Sequence, residues 1–354
     1  MKKHILAHYN NYPAATLQDL FKFLHQSEFG PGHFIANPDE NFKYLQAEFK
    51  SISNMKKDKI CDDLLNEFCR LHLQVLQQTT LSITTFQKFF EQSAKVNTGN
   101  LDAYWQKINL LADMCACGEL PFDQTEVAAF KSRIINEPMK PFRHSDAFRL
   151  AYYPAYRVIN KKFFNFLPLF AAIDQLMATQ EKVIVAIDGD CAAGKTSLSQ
   201  LISQIYDCNQ VHMDHFFLQP DQQTEIRLNT PGENIDHERF TKDVMTPLMA
   251  SESLSYKPFN CMTQTFGEAI SLPFKKLTII EGSYALHASL IQFYDLKVFL
   301  QIPQDVQLDR ILARDGINML QKFKDVWIPM EKNYAKTFNV KEKCDFCFDY
   351  LADS

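Results

Sequence analysis

Up to about residue 160 the apolar positions recur at steps of three and four, the period of helices that bury one face. Residues 17–25, 62–78, 85–93 and 102–114 each carry that pattern. Loop signals separate them: Gly-Pro-Gly at 30–32, a polar stretch at 97–100 and two prolines within 137–141. Beyond residue 180 the period changes. VIVAID (183–188), LTIIE (277–281) and LKVFLQ (296–301) are short apolar runs rich in β-branched residues, as buried parallel strands require. Residues 210–214 and the run CDFCFDY at 344–350 add two more strand candidates, with helix-like stretches between. The pattern predicts an all-helical domain over 1–160, a connecting helix at 167–179 within 161–181, and an α/β domain over 182–354. No internal repeat interrupts this layout.

Composition narrows the classes. Of 354 residues, 46% are hydrophobic and 22% charged, which is ordinary for a globular chain. A formal charge of -5 leaves no basic excess for general nucleic-acid binding. The longest apolar stretch, 163–177, is broken by Asn165, Pro168 and Asp174 and is too short to span a bilayer. The basic N-terminus lacks the apolar core of a signal peptide, so a cytoplasmic protein with no membrane partner is expected. The nine cysteines then read as reduced thiols. Cys115/Cys117 has a single intervening residue and Cys344/Cys347 sits in an apolar run that reads as a strand, so neither pair is read as a structural zinc site.

The strongest chemical signal follows VIVAID directly. Gly189, Asp190, Cys191, Ala192, Ala193, Gly194, Lys195 and Thr196 form a Gly-x4-Gly-Lys-Thr loop, and Ser197 opens a helix-like stretch. Glycines let successive backbone N–H groups face a phosphate, and the helix that follows points its positive end at the same anion. Lys195 is expected to reach the outer phosphates and Thr196 to help hold Mg²⁺. This predicts an α/β P-loop NTPase fold with a mainly parallel five-stranded sheet, and ATP with Mg²⁺ as cofactors. Asp214, at the carboxyl end of the next strand candidate, lies where such sheets bind ligands and where it can accept the proton of a hydroxyl.

From about residue 182 onward the chain resembles the uridine kinase and phosphoribulokinase family. The matching pieces occur in order: GDCAAGKTS, MDHFF, NIDHERF, YKPFN, IIEGSYAL and DVQLDRILARD. The resemblance implies Asp214 as catalytic aspartate, Asp236 as a contact to a sugar hydroxyl and Glu281 as an acid near Mg²⁺. It also implies Arg310 and Arg314 as lid arginines over the phosphates, and it places Phe217, Phe259 and Gln264 on the substrate side. Spaced four apart, Arg310 and Arg314 share one helix face. Substrate identity departs from the family. Where uridine kinases carry tyrosine, aspartate, histidine and arginine around the nucleoside, this chain has Phe259, Asn260, Gln264 and Phe266. A site that hydrogen-bonds a base discriminates through such groups, so uridine is not implied. Ile311 also stands where a second arginine follows the first. Trp327, Glu331 and Tyr334, at helical spacing, suggest a last helix packed on the sheet, with stacking on an adenine as the alternative.

The helical half offers two clusters. His25 and Glu28 share a helix face and His33 follows a glycine turn; metal binding competes there with capping and surface roles. Residues 143–159 gather His144, Arg149, Tyr152, Tyr153, Tyr156 and Arg157, which suit either an anionic ligand or the joint between domains. The Pro-Ala-Tyr-Arg run resembles domains that accompany kinases of this type in bacteria, which implies no activity. The sequence therefore points to an ATP-dependent kinase acting on a hydroxyl of a nucleoside-, sugar- or vitamin-like small molecule. The alternative is a nucleotide-binding regulator in which ATP controls the helical domain. Either is compatible with a homo-oligomer.

Overall fold

The structure, a computed structural model, describes residues 1–31, 38–52, 59–96, 99–136 and 141–349. It divides into two compact units, Met1–Asp174 and Gln175 onward. The division falls inside the helix Leu167–Thr179, whose bounds match the sequence pattern.

The first unit is helix-rich, as the periodicity predicts. Its main helices are Lys2–Asn11, Leu17–Phe29, Pro38–Ser51, Ile83–Lys95, Leu101–Ala116 and Gln124–Asn136. Their starts are written locally. The Ser82 hydroxyl accepts from Thr85 N–H, and the Asn100 side chain accepts from the N–H groups of Asp102 and Ala103. Leu20, Phe21, Leu24, Tyr104, Ile108 and Leu111 bury the facing stripes in one core.

The all-helical expectation needs one correction. Residues 62–78 are not one helix. β1 (Cys61–Asp63) and β2 (Phe68–His72) form an antiparallel pair, β3 (Tyr156–Asn160) adds to β2, and only Val75–Gln78 is helical. The periodicity misleads because it counts Arg70 and His72 as exposed positions. Both are buried in the central strand, where Gln26 accepts from Arg70 and Asp62 pairs with His72. Leu65, with φ of 86°, turns the chain between β1 and β2.

The second unit contains β4 (Val183–Gly189), β5 (Cys208–His212), β6 (Leu254–Tyr256), β7 (Phe259–Asn260), β8 (Thr265–Phe266) and β9 (Ile270–Leu272). β10 (Leu277–Glu281), β11 (Leu296–Gln301) and β12 (Phe346–Asp349) complete it. Five of these make a wholly parallel sheet in the order β12-β11-β4-β10-β5, as the sequence predicts. β4 is buried along its whole length and lies at the centre, so the loop that leaves it opens at the middle of the sheet's carboxyl edge. Ile184, Ala186, Val211, Ile280 and Phe299 build the core with Phe216 and Phe240 from the loops beyond. Among the described residues, no helix is long and apolar enough to cross a membrane.

Candidate active site

Each element at the carboxyl edge delivers one part of the site. β4 ends in Gly189, whose φ is 145°; a Cβ there would stand 2.1 Å from the Leu300 carbonyl oxygen. The next residue fastens the loop to β11. Asp190 N–H donates to Leu300 O at 2.9 Å, and its carboxylate accepts from Ile302 N–H at 3.1 Å. Ala192 and Gly194 both take positive φ, so Cys191, Ala192 and Ala193 curl into a cradle before the helix Lys195–Ser203 begins. Lys195 folds back over the cradle and donates to the carbonyls of Gly189 (2.8 Å) and Asp190 (3.1 Å). Ser197 lies exposed in the first helical turn. Cys191 contributes backbone rather than thiol chemistry, since burial pushes its thiol far above the usual range.

Thr196 and Glu281 meet, as the sequence predicts for a metal site: the hydroxyl donates to Glu281 Oε1 at 3.0 Å. Glu281 is buried at the end of β10, and His212, opposite it at the end of β5, contacts the same oxygen at 2.5 Å. That contact raises the His212 pKa, so the ring helps carry the carboxylate's charge. A hydroxyl and a carboxylate beside a phosphate cradle are the two protein ligands Mg²⁺ takes when phosphates and water supply the rest. Sequence reading missed His212, although its register opposite Glu281 is the signal that finds it.

Asp214 comes two residues after β5, in the 3₁₀ turn Met213–Phe216, and not inside the strand as the pattern suggested. Its carboxylate opens to the cleft and makes no hydrogen bond among the described residues. Loss of hydration among packed neighbours raises its pKa; Glu281 adds to the rise, while the Lys195 ammonium opposes it. These charges therefore share one field.

Of the two arginines expected in a lid, Arg310 reaches the loop, donating to Ala192 O at 3.1 Å. Arg314 is turned to Asp315 at 2.8 Å. Both precede Gly316, where φ of 79° and ψ of 174° break the helix Gln304–Lys322. A carboxylate not foreseen also enters the cradle. Glu331 accepts from Cys191 N–H at 2.9 Å and from the Ser283 hydroxyl at 2.7 Å. Helical spacing alone marked its position; nothing in the sequence marked its partner. Tyr334, one turn on, is buried and donates to Asp188 at 3.0 Å, which favours the packing role over stacking on adenine. Trp327 packs edge-on to Phe323. A cavity of about 710 Å³ opens beside Asp190, between the end of β11 and the helix Ile328–Thr337.

The substrate-side residues scatter more. Asp236 is buried, and its oxygens are engaged by Arg239 N–H (2.9 Å) and the Gln222 amide (2.8 Å), so it acts here as a helix cap. Phe217 bridges to Ile235 and packs against the core. Phe259 is buried against Phe266 across the β7–β8 hairpin, while Gln264 lies exposed at its tip with φ of 55°. Arg239, missed from sequence, spans this region: its guanidinium sits over Phe216 and Phe266 and donates to His215 O at 2.6 Å.

In the first unit the suggested metal ligands separate. His33 lies outside the described residues. Glu28 pairs with Lys107 at 2.8 Å and accepts from Asn100 N–H, and His25 is buried against Phe29 and Tyr104 rather than on the surface. No group of three His, Cys, Asp or Glu side chains among the described residues is placed to hold a metal ion.

Comparison with known proteins adds sequence kinship to this geometry. A uridine kinase of Latilactobacillus sakei is 25% identical over 176 residues, 46% of this chain and 82% of its own. The C-terminal half of this chain resembles uridine kinases. A second, from Oceanobacillus iheyensis, is 27% identical over 150 residues, 39% of this chain and 70% of its own. A solved structure described as a possible uridine kinase from Bacillus stearothermophilus is 23% identical. It covers 51% of this chain and 99% of its own, with a TM-score of 0.38. A D-glycerate 3-kinase from Cryptococcus neoformans is 11% identical over 52% of this chain and 87% of its own, with a TM-score of 0.31. No family model matches. The fold assignment rests on the sheet order and the loop, and the P-loop kinase character on the two sequence relatives.

Proposed function

We propose that the second unit is an ATP-dependent, Mg²⁺-assisted kinase that phosphorylates a hydroxyl of a small nucleoside-, sugar- or vitamin-like molecule. The observation that carries this reading is Asp214: a carboxylate with no hydrogen bond, raised pKa and an open face, coupled to Lys195 and Glu281 at the cradle's edge. A solvated turn aspartate has no reason to share a field with the phosphate-loop lysine.

The residues divide the work. Backbone N–H groups of the cradle and the start of the helix Lys195–Ser203 hold the phosphates. Lys195 exchanges its two carbonyl contacts for phosphate oxygens. Thr196 and Glu281 would hold Mg²⁺, which screens phosphate charge and orients the transferred group. The cavity beside Asp190 is large enough for the nucleoside of ATP. Asp214 orients the acceptor hydroxyl and takes its proton as the new O–P bond forms and the bond to ADP breaks. Arg310 faces the loop and neutralises developing charge; Arg314 joins it on leaving Asp315. For the acceptor, the exposed Gln264 and the apolar Phe259 and Phe266 argue against uridine and for a smaller or less polar ligand beside Arg239.

The test is a screen of nucleosides, sugars and vitamin-like alcohols for acceptor-dependent ADP release, repeated with Asp214→Asn. Transfer should fall by about a thousandfold while ATP affinity stays within about threefold. ATP binding without any acceptor-dependent turnover, unaltered by Asp214→Asn, would instead establish a nucleotide-controlled regulator. The acid limb of the wild-type rate profile should lie above the ordinary carboxylate range, because Asp214 must be ionised to accept the proton.

A further inference from the structure

Glu281 is 4% exposed, and a carboxylate so enclosed needs donors. Two reach it, and both reach the same oxygen. Thr196 donates its hydroxyl to Oε1 at 3.0 Å, and His212 Nδ1 lies 2.5 Å from Oε1. A carboxylate has no proton to give in this contact, so the ring carries its N–H at Nδ1 and donates. Oε2 accepts no hydrogen bond among the described residues. The carboxylate is therefore pinned at one oxygen and left open at the other.

The two donors differ in what holds them and in what else they do. His212 ends β5, and the parallel register sets it beside Glu281 at the end of β10, so both side chains leave the sheet on one face. Packing fixes the ring. It meets the His215 ring edge to face at 5.2 Å; His215 Nδ1 lies 3.2 Å from the Tyr256 hydroxyl, and Tyr256 is 3% exposed in the core. The Thr196 hydroxyl is itself the other expected metal ligand, whereas His212 has no such second task. The last torsion of a glutamate is broad, so a carboxylate held by Thr196 alone could turn either oxygen to the cleft. The family resemblance assigns nothing to this residue, since its MDHFF piece begins one position later.

We propose that His212 is a positioning residue for the divalent cation: its hydrogen bond pins Glu281 Oε1 and leaves Oε2 for the metal. The inference rests on the Mg²⁺-assisted kinase reading of the second unit. Partners that orient a metal-holding carboxylate set cation affinity without touching the cation, and their loss typically costs ten- to a hundredfold. The nucleotide's own contacts lie on the other side of the site, in the cradle and with Lys195, so they should not depend on the ring.

The test uses the full chain with a non-hydrolysable ATP analogue and Mn²⁺ in place of Mg²⁺. Loss of the paramagnetic resonance of free Mn²⁺ reads cation affinity, and a fluorescent ATP analogue in EDTA reads nucleotide affinity without the cation. His212→Ala should weaken Mn²⁺ by about tenfold while nucleotide affinity in EDTA stays within about twofold. His212→Asn sets an amide donor where Nδ1 stood and removes Nε2, so it should hold Mn²⁺ within about threefold of wild type. That recovery also separates positioning from direct ligation by the ring. His212→Gln carries its donor one bond farther out and should behave as His212→Ala does. Should His212→Ala lose its thermal transition, the contrast between Asn and Gln decides. The proposal is overturned if His212→Ala leaves Mn²⁺ affinity unchanged, or if His212→Asn weakens it as much as His212→Gln. A wild-type chain that binds no Mn²⁺ with the nucleotide would remove the metal-assisted reading, and this inference with it, before any variant is made.

Discussion

The phosphate-loop cradle of the second unit and the interior of the first both hold strong hydrogen-bond donors, but they gather them by opposite routes. In the cradle the donors are backbone N–H groups from consecutive residues, and the chain provisionally fills them itself: Glu331 holds Cys191 N–H, and the Gly189 and Asp190 carbonyls hold Lys195. In the first unit the donors are the side chains of Lys22 and Arg70, brought close by tertiary packing: Lys22 donates to Phe142 O, and Arg70 donates to Gln26 through Nε while its Nη2 is left over. A site made of backbone is written in a local motif and survives changes elsewhere. One made of buried side chains depends on the whole unit being folded.

That contrast breaks most sharply at Lys195. Lys195→Ala removes one charge-assisted phosphate contact from the cradle and should weaken nucleotide binding by about a hundredfold, measured by titration with a fluorescent ATP analogue. The thermal transition of the first unit should not move. Unchanged nucleotide affinity would remove the cradle as the binding site and the kinase reading with it.

Acid should separate the units next. In the first, Asp19 and Asp62 are held well below the usual range by His144 and His72, by hydroxyls and by backbone N–H groups, against the opposing effect of burial. Depressed carboxylates stabilise the fold above their unfolded pKa near 3.9, and that contribution is lost as pH falls through and below it. In the second unit Asp188 has the opposite sign. Enclosed near the end of β4 and stripped of water, its pKa rises to about 6, so its protonated form favours the fold and its penalty grows as pH climbs from the unfolded value to about 6. Neutral buried histidines, His144 in one unit and His287 in the other, act alike in both and do not discriminate. Between pH 5 and 3 the first unit should lose roughly 1 kcal/mol per carboxylate that the second does not. Peptide-resolved hydrogen exchange reads this directly, and earlier loss of protection in the second unit would refute it.

The same division decides what could be read from sequence. The inner strands β4, β10 and β11 were legible because strands buried on both faces of a parallel sheet are largely apolar, whereas the edge strands β5 (CNQVH) and β12 (FCFD) are half exposed and the bounds of β5 came out two residues late. The loop was legible down to the residue, since each position answers a backbone requirement. Thr196 and Glu281 were found and do meet. Residues 62–78 failed for a physical reason: Arg70 and His72 are polar and buried, and a pattern of polar positions cannot tell solvent from a hydrogen-bonded interior. Asp236 is a different case. The residue matched the family, yet here its carboxylate caps a helix, which only the partners Arg239 and Gln222 reveal.

Glu331 offers the finest probe of the comparison. Its carboxylate occupies a loop N–H and adds to the field that raises the Asp214 pKa, after burial and Glu281. Glu331→Gln keeps an oxygen for Cys191 N–H, turns an NH2 donor to the Ser283 hydroxyl and removes the charge. Where a carboxylate stands near incoming phosphates, its loss should tighten nucleotide binding, by about threefold for a partly exposed group. The acid limb of the rate profile should shift to lower pH, because Asp214 ionises more readily once one nearby anion is gone. Weaker nucleotide binding in Glu331→Gln would mean that Glu331 supports the bound state rather than filling the cradle in its absence.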